Sequence, residues 1–178
     1  MIERKVLLIG AGSSRELRAA ADAASAVIPP QITTLDIEPR HGTDVVWDLN
    51  VLPWPFTDGS YSEIHAYEIL EHLGQQGDAA AFFAHFGEAY RILKPGGKLC
   101  GSCPRWDSIW AFGDPSHRRV INRGSFTFLD QKQYAEQVGK TAMSDFRSIW
   151  KGDFTADVIK EVGEQMYFIL TAHKPARA

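Results

Sequence analysis

The chain has 178 residues, and its 19 basic and 22 acidic side chains give a formal net charge of −3 at pH 7. This length fits one ordinary domain, residues 1–178, with room for a sizeable hydrophobic core. The slightly acidic balance argues against a surface for nucleic acid or for an anionic membrane. No charged start precedes an apolar segment and no apolar run reaches about 18 residues, so we expect no membrane association and a cytoplasmic location.

The first half of the chain predicts alternating strands and helices. The stretch "RKVLLI", residues 4–9, is continuously apolar, as in a central parallel strand. A helix is expected from Ser13 or Ser14, through "SRELRAAADAASAV", until the prolines that begin at Pro29. Three further strands are predicted: "QITTLDIE", which ends at Asp36, "TDVVWDL", and "YSEIHAYEIL", which continues into a helix near Glu68.

The second half continues this alternation and then changes character. Residues 77–93 have apolar side chains at helical spacing, "KPGG" ends that helix, and "KLCGSC" is the fifth strand. Loop composition dominates residues 104–125, and "FLDQKQYAEQVG" predicts a helix closed by Gly139. We expect "SDFRSIWK" and "EQMYFILTAHK" to be two antiparallel strands. The prediction is therefore an α/β fold, with a doubly wound, mostly parallel sheet and a C-terminal antiparallel strand pair.

The two cysteines, Cys100 and Cys103, have the spacing of a redox pair or of half a zinc site. On a strand, however, residues three apart point to opposite faces. Two buried, reduced thiols are therefore the preferred interpretation, and no metal site is predicted in the chain.

A glycine turn follows the first strand. Gly10 and Gly12 let the backbone approach a ligand closely at the start of the next segment. The dinucleotide fingerprint needs a third glycine three places later, where this chain has Arg15, and the Gly-Lys-Ser/Thr of a phosphate-binding loop is missing. The turn is therefore unsuited to a pyrophosphate.

Acidic residues end the next two strands. A carboxylate at Asp36 can accept both hydroxyls of a ribose, although it could also be a solvated acid at a strand end. Asp48 can accept the exocyclic amine of an adenine, with Leu49 beside it as an apolar wall. Parallel strands bring their carboxyl ends to one edge, so the glycine turn and the two acids together predict an adenosine-like ligand.

The segment "WDLNVLPWPFTDGSYSEIHAYEILEHL", followed by "AYRILKPGGKL", resembles the class I S-adenosylmethionine-dependent methyltransferases. The resemblance covers almost the whole chain and is strongest to the small, core-only, type 11-like subgroup. It implies a Rossmann-like methyltransferase fold with S-adenosyl-L-methionine as the cofactor. It also implies that the first glycine turn contacts the methionine part, that Asp36 holds the ribose and that residues after the fourth strand face the methyl donor. The implied cofactor contacts are Gly10, Ala11, Gly12, Asp36, Ile37, Asp48, Leu49, Tyr67 and Glu68.

Two positions depart from the family pattern. The family usually has an acidic residue two places before the first glycine, where this chain has Leu8. It often has a third glycine two places after the second, where this chain has Ser14. These are the positions at which cofactor binding is expected to differ from the family.

The histidines include one candidate catalytic residue. His117 lies in "GDPSHRR", after the fifth strand, where an acceptor would enter, and it could serve as a general base or fix the loop by hydrogen bonds. His72, in "EHL", matches the family pattern and could cap or brace the cofactor loop. The other histidines are predicted to be surface or strand residues: His41, His65, His85 and His173.

The loop after the fifth strand carries two further sets of candidate residues. Its aromatic residues Trp106, Trp110 and Phe112 could wall an acceptor pocket or cover the sheet edge. Its basic residues could clamp an anionic acceptor or form a solvated face: Arg118, Arg119 and Arg123.

The acceptor is predicted to be a small molecule or a sugar. The chain has "AYEI" where methyltransferases of base amines have Asp/Asn-Pro-Pro-aromatic, so no DNA substrate is expected. A nicotinamide-dependent oxidoreductase is disfavoured by the missing third glycine. The main alternative is a cofactor-binding or catalytically inactive methyltransferase-like module that acts through a protein partner.

Overall fold

Seven strands form one sheet in the order β3-β2-β1-β4-β5-β7-β6. The computed structural model describes residues 4–18 and 31–177. The first five strands are parallel, β7 pairs antiparallel with β5, and β6 pairs antiparallel with β7, which confirms the predicted fold class. The strands are β1 (Lys5–Ile9), β2 (Gln31–Asp36), β3 (Val45–Val46), β4 (Tyr61–Tyr67), β5 (Leu93–Pro104), β6 (Phe154–Val162) and β7 (Gln165–Ala172).

The centre of the sheet explains the continuous apolar pattern of the first strand. β1 pairs with both β2 and β4, and the side chains of Val6, Leu7 and Ile9 are fully buried. A parallel strand that is buried on both faces has apolar side chains in both directions, so its sequence does not alternate between apolar and polar residues. The strand order reverses between β1 and β4, so the segments that follow these two strands diverge and leave a crevice at the carboxyl edge.

Helix α1 (Ala79–Ile92) agrees with the apolar spacing of residues 77–93. Asp78 caps it by accepting a hydrogen bond from the backbone N–H of Ala81 at 2.9 Å, and its apolar face packs against the core. None of the helices in the described ranges combines the length and apolar character needed to cross a membrane. The shorter helices are α2 (Ile109–Gly113), α3 (Arg123–Thr127) and α4 (Gln131–Gln137), and single 3₁₀ turns span Pro39–His41 and Leu70–His72.

Two helix predictions need correction. Residues 14–18 form no helix, and the rest of the helix expected before Pro29 lies outside the described residues, which omit 19–30. The helix expected near Glu68 is only the 3₁₀ turn Leu70–His72. His72 in that turn contacts Ser116 of the loop after β5.

The stretch "SDFRSIWK" is not a strand, and the partner of β7 is β6. The backbone N–H of Trp150 donates to the carbonyl of Phe146 at 2.8 Å, which closes one helical turn. Both rings then pack against Phe83 of α1, at centroid distances of 5.2 Å for Phe146 and 5.6 Å for Trp150. The apolar residues four apart therefore mark a turn that faces one helix, and the alternation needed for a strand begins only at Phe154.

Both cysteines of β5 are free and buried, as predicted. Burial raises the pKa of the Cys100 thiol to about 12 and raises the pKa of Cys103 above its ordinary value as well. Neither thiol is a reactive thiolate at neutral pH.

The C-terminal segment is tied to the core through Asp153, whose side chain is fully buried. The carboxylate accepts hydrogen bonds from Arg177 Nε at 2.7 Å, Arg177 Nη2 at 2.9 Å and the backbone N–H of Gln131 at 3.0 Å. Burial alone would raise the pKa of Asp153, but these donors outweigh it, and the pKa is lowered. A buried carboxylate is thus held charged by one arginine and backbone donors.

We expect Asp153→Asn to lower the free energy of unfolding by about 2 kcal/mol at neutral pH, because Arg177 loses its buried charged partner and, among the described residues, keeps only Asp130. A lowered native pKa contributes stability above the unfolded-state pKa, and this stability is lost as the pH falls. The wild type should therefore lose stability from about pH 5 toward pH 3 more steeply than the variant. Urea denaturation over that pH range measures both, and Asp145→Asn, at an exposed ion pair with Arg147, is the matched control. Equal pH slopes in the wild type and in Asp153→Asn would contradict the assignment.

Candidate functional site

A cavity of about 400 Å³ lies at the carboxyl edge of β1 to β4, where the strand order reverses. Most of the predicted cofactor contacts line it. These are Gly10, Gly12, Asp36, Ile37, Asp48, Leu49 and Glu68, and they are joined by Trp47, Asn50, Ile69, His72 and Leu73.

The glycine turn forms one wall of this cavity. Gly10 and Gly12 have φ angles of +60° and +53°, a region that side chains rarely adopt. A Cβ atom on Gly10 would lie 2.6 Å from Ile69 Cγ1, whereas a Cβ atom on Gly12 would meet nothing within 4 Å. Gly10 is therefore required for close packing, and Gly12 borders open space.

Asp36 is held rigidly at the end of β2. Its Oδ2 accepts from the backbone N–H of Gly12 at 2.8 Å, and its Oδ1 accepts from the backbone N–H of Glu38 at 2.9 Å. His41 Nδ1 lies 3.3 Å from Oδ1. The side chain is buried but borders the cavity, and a carboxylate has about four acceptor positions, so capacity remains for a ligand hydroxyl.

The end of β3 supplies a second acceptor and an apolar surface. Asp48 Oδ1 accepts from the backbone N–H of Asn50 at 2.9 Å and from its Nδ2 at 3.1 Å. The neighbouring Leu49 is buried, and its carbonyl accepts a hydrogen bond from Trp54 Nε1 at 2.9 Å. Ile37 is largely exposed on the other side of this wall. This combination of a carboxylate acceptor and apolar surface suits a flat ring that carries a hydrogen-bond donor.

Ala11 and Tyr67 lie away from the cavity lining, in a small core cluster with Leu8. The backbone N–H of Ala11 donates to the carbonyl of Leu35 at 3.1 Å. The Tyr67 hydroxyl contacts His65 Nδ1 at 2.6 Å and accepts from the backbone N–H of Arg18 at 2.9 Å. Leu8, at the position where the resembled family usually has an acid, is thus part of an apolar contact under the turn.

Glu68 has a φ angle of +51° and is the one non-glycine residue with a positive φ in the described ranges. Its backbone N–H donates to the carbonyl of Ser102 at 2.9 Å, and its Oε1 accepts from the Ser102 hydroxyl at 2.7 Å. These two bonds to β5 hold the strained residue in the cavity wall. Such strain is characteristic of functional sites, where the surrounding structure maintains it.

Glu71 was not predicted from the sequence, and it lies beside the candidate base. Its side chain is 2% exposed, and neither carboxylate oxygen has a hydrogen-bond partner in the described part of the chain. Burial, together with the charges of Glu68 and Asp114, raises the pKa of Glu71 to about 8. His117 Nε2 is 4.0 Å from Glu71 Oε1, and the His72 and His117 rings meet edge to face at 4.7 Å.

Backbone hydrogen bonds fix the loop that carries His117. The N–H groups of Arg118 and Arg119 both donate to the carbonyl of Glu71, at 2.8 and 3.1 Å. His72 Nδ1 lies 3.3 Å from the Ser116 carbonyl and hydroxyl oxygens. The loop after β5 is therefore attached to the 3₁₀ turn after β4, and this attachment places His117 near the cavity that His72 lines.

A second cavity, also about 400 Å³, is lined by aromatic side chains and Arg119. Arg119 is buried, its Nη2 donates to the carbonyl of Gln75 at 2.9 Å, and its guanidinium lies 5.3 Å from the centroid of the Phe82 ring. Its Nε has no partner among the described residues. Arg118 and Arg123 are exposed, so Arg119 is the member of the basic cluster that reaches an apolar cavity.

Other candidates from the sequence have different positions. Trp106, Trp110 and Phe112 are each more than half exposed, and they line neither of these two cavities. His85 was expected at the surface or in a strand, but it is buried on α1 because its helix face points into the core. Burial lowers the pKa of His85, and a backbone contact with Ala81 only partly offsets this.

No protein-family model matches the sequence, and a search of curated proteins also found no match. Solved structures do match. A chain in the complex between the Haloferax volcanii Trm112 methyltransferase activator and a methyltransferase superposes with a TM-score of 0.57 at 17% identity, covering 97% of this chain and 84% of its own. A SAM-dependent methyltransferase from Archaeoglobus fulgidus gives 0.56 at 14% identity, with 96% and 86% covered.

This chain has the methyltransferase fold. A third structure of the same fold, the N-methyltransferase NodS from Bradyrhizobium japonicum in complex with S-adenosyl-L-homocysteine, gives a TM-score of 0.54 at 14% identity, with 95% of this chain and 78% of NodS covered. At these identities the likeness concerns the architecture, and function has to be argued from the site.

Proposed function

We propose that residues 1–178 form one domain that binds S-adenosyl-L-methionine and transfers its methyl group to a small-molecule or sugar-type acceptor. The observation that carries this proposal is Asp36. Its carboxylate is oriented by two backbone N–H groups at the wall of the cavity that lies where the strand order reverses. An acid at this position suits a ribose with free hydroxyls. The compared structures support the choice of cofactor, since one was solved with S-adenosyl-L-homocysteine.

In this proposal each residue of the cavity wall contacts a different part of the cofactor. Gly12 borders the methionine part, Asp36 accepts from the ribose, and Asp48 accepts from the adenine amine. Ile37 and Leu49 supply apolar surface for the ring, and Glu68 and Gly10 shape the wall near the sulfur. We propose a supporting role for Ala11 and Tyr67, which pack behind this wall with Leu8.

Methyl transfer requires little covalent help from the protein. The acceptor atom attacks the methyl carbon in line, the carbon–sulfur bond breaks, and the positive charge on sulfur disappears. Alignment of the two reactants and exclusion of water are the main contributions, and orientation alone can recover about 7 to 11 kcal/mol of a barrier. An acceptor hydroxyl or protonated amine also needs a base, for which we propose His117.

The aromatic cavity beside Arg119 supports an acceptor with an apolar body and an anionic or polar group. The segment between Leu73 and Gln76 separates the two cavities, with Leu73 lining the first and Gln76 the second. Because Arg119 lines this cavity, its guanidinium offers hydrogen-bond donors for an acceptor oxygen. We therefore propose that the acceptor lies across this segment, with its reacting atom toward the sulfur.

A second candidate function is a methyltransferase-like module that acts through a protein partner in the cytoplasm. The exposed apolar side chains of Trp106, Ile109, Trp110 and Phe112 favour it, because monomeric proteins rarely expose such groups together. One of the compared structures is itself a complex with the Trm112 activator. Loss of turnover with retained cofactor binding would favour this candidate.

A thermal-shift titration tests the cofactor assignment. Ligand at 100 times its dissociation constant adds about 2.7 kcal/mol, which should raise the melting temperature of a domain of this size by roughly 5 to 10 °C. We expect this shift with S-adenosyl-L-methionine and S-adenosyl-L-homocysteine and none with NAD, which serves as the control ligand. A protein that responds to neither S-adenosyl compound would contradict the proposal.

A further inference from the structure

Three metal-ligating side chains meet beside the cofactor cavity. One ligand atom each from Glu71, His72 and His117 lies within 4.8 Å of the other two. The sequence predicts no metal site because the first two residues follow β4 and the third follows β5. The hydrogen bonds from the backbone of residues 118 and 119 to the Glu71 carbonyl bring the two loops together.

The Glu71 carboxylate is the second, independent observation. A buried polar side chain is normally hydrogen-bonded, and an unpaired one costs about 1 to 3 kcal/mol or more when charged. Glu71 is 2% exposed, yet both of its oxygens lack a hydrogen-bond partner among the described residues, and His117 Nδ1 lacks one as well. These buried atoms are therefore available to a ligand, since no other residue of the described ranges hydrogen-bonds them.

We propose that Glu71, His72 and His117 bind a divalent transition-metal ion at the edge of the cofactor cavity. Two imidazoles and one carboxylate form the ligand set of catalytic zinc sites, in which a further position stays open. Imidazole nitrogens favour zinc and its neighbours over magnesium or calcium. Ligand atoms about 2.1 Å from a shared ion lie roughly 3 to 4 Å apart, so small side-chain rotations close this cluster.

The surroundings of the cluster fit this assignment. His72 Nδ1 lies 3.3 Å from the Ser116 carbonyl, which can hold the N–H on that nitrogen and leave Nε2 for the ion. Asp114 Oδ2 lies 3.9 Å from His117 Nε2, so a second carboxylate borders the cluster. His72 also lines the cofactor cavity, so the open position faces the place where methyl transfer would occur.

The role of the ion rests on the proposed function. An acceptor hydroxyl bound at the open position would lose its proton more easily, and its oxygen would be fixed near the methyl group. His117 would then act as a ligand instead of as the base, and the proton of the ion-bound hydroxyl would pass to water. The acceptors favoured by this site are those with a hydroxyl or other oxygen donor beside the methylated atom.

Metal binding is tested without cofactor or acceptor, so its outcome is independent of methyl transfer. Tag-free protein is dialysed against a chelator and titrated with Zn²⁺ by calorimetry, and with Co²⁺ by visible absorption. We expect one ion per chain and a Co²⁺ spectrum of nitrogen and oxygen ligands with no thiolate band, since Cys100 and Cys103 are buried elsewhere in β5. Glu71→Gln and His117→Ala should each weaken binding at least about tenfold.

The control variant is His173→Ala. The ring of His173 contacts Thr155 and takes no part in this cluster, so its loss should leave the affinity for the metal ion unchanged. Circular dichroism checks that each variant folds, and Glu71→Gln keeps the shape of the side chain. A structural role for Glu71 would alter stability but leave the Co²⁺ spectrum unchanged. Absence of stoichiometric binding, or equal affinity in the wild type, Glu71→Gln and His117→Ala, would overturn the proposal.

Discussion

Asp36→Ala should weaken binding of S-adenosyl-L-homocysteine at least about 100-fold and remove the thermal shift at ligand concentrations that saturate the wild type. Hydrogen bonds to a charged acceptor contribute about 1.5 to 3 kcal/mol each, and the ribose offers two hydroxyls. The substitution also releases the backbone N–H groups of Gly12 and Glu38, so the glycine turn loses its orientation. Calorimetric titration of the wild type and the variant measures the difference.

Two controls separate the ribose contact from general loosening of the turn. Glu38→Gln changes an acid on the same loop whose carboxylate pairs with Arg40, so it should bind like the wild type. The second control changes the ligand: an analogue without the ribose hydroxyls should bind the wild type more weakly, yet bind Asp36→Ala no worse than the full ligand does. Additive losses in this residue–ligand cycle would show that Asp36 does not contact the hydroxyls.

Gly10→Ala should lower the free energy of unfolding by about 3 kcal/mol. About 1 kcal/mol of this comes from the positive φ angle, which is unfavourable for alanine. The remainder comes from the new methyl group, which would lie 2.6 Å from Ile69 Cγ1 and 2.8 Å from Ile69 Cβ. Because Ile69 lines the cavity, its displacement should also weaken cofactor binding.

Gly12→Ala is the matched comparison for this prediction. Its φ angle of +53° carries a similar backbone cost, but its methyl group would meet nothing within 4 Å. We expect a loss of about 1 kcal/mol in stability, measured by urea denaturation at one pH. Equal losses for the two variants would mean that close packing against Ile69 is unimportant.

Leu8 stands where the resembled family usually has an acidic residue, and its packing concerns both predictions. Leu8 packs with Ala11 and Tyr67 in a small core cluster beneath the glycine turn. Apolar contact there supports the turn from below, where the resembled family places an acid. The same turn is held by the hydrogen bond from the backbone N–H of Gly12 to Asp36, so both predictions concern one structural unit.

The strands of the parallel sheet were predictable because their signal is local. The continuous apolar run of residues 4–9 identified β1, the predicted strands "QITTLDIE" and "YSEIHAYEIL" contained β2 and β4, and helical spacing identified α1. The error at "SDFRSIWK" has a specific cause: Phe146 and Trp150 are apolar because both rings pack on Phe83, a contact that a strand pattern cannot anticipate. The antiparallel pair was expected, but its first strand begins at Phe154.

The sequence by itself determined the fold class and which strand ends carry Gly10, Gly12, Asp36 and Asp48, since residues that end successive parallel strands must meet at one edge. Only the tertiary structure decided which side chains face the cavity. Ala11 and Tyr67 pack with Leu8, whereas Glu68 is held in the cavity wall by its hydrogen bond with Ser102. Only the tertiary structure brought Glu71 and His117 together. The physical reason is that strand periodicity is encoded residue by residue, whereas contacts between loops depend on packing and hydrogen bonds from distant parts of the chain.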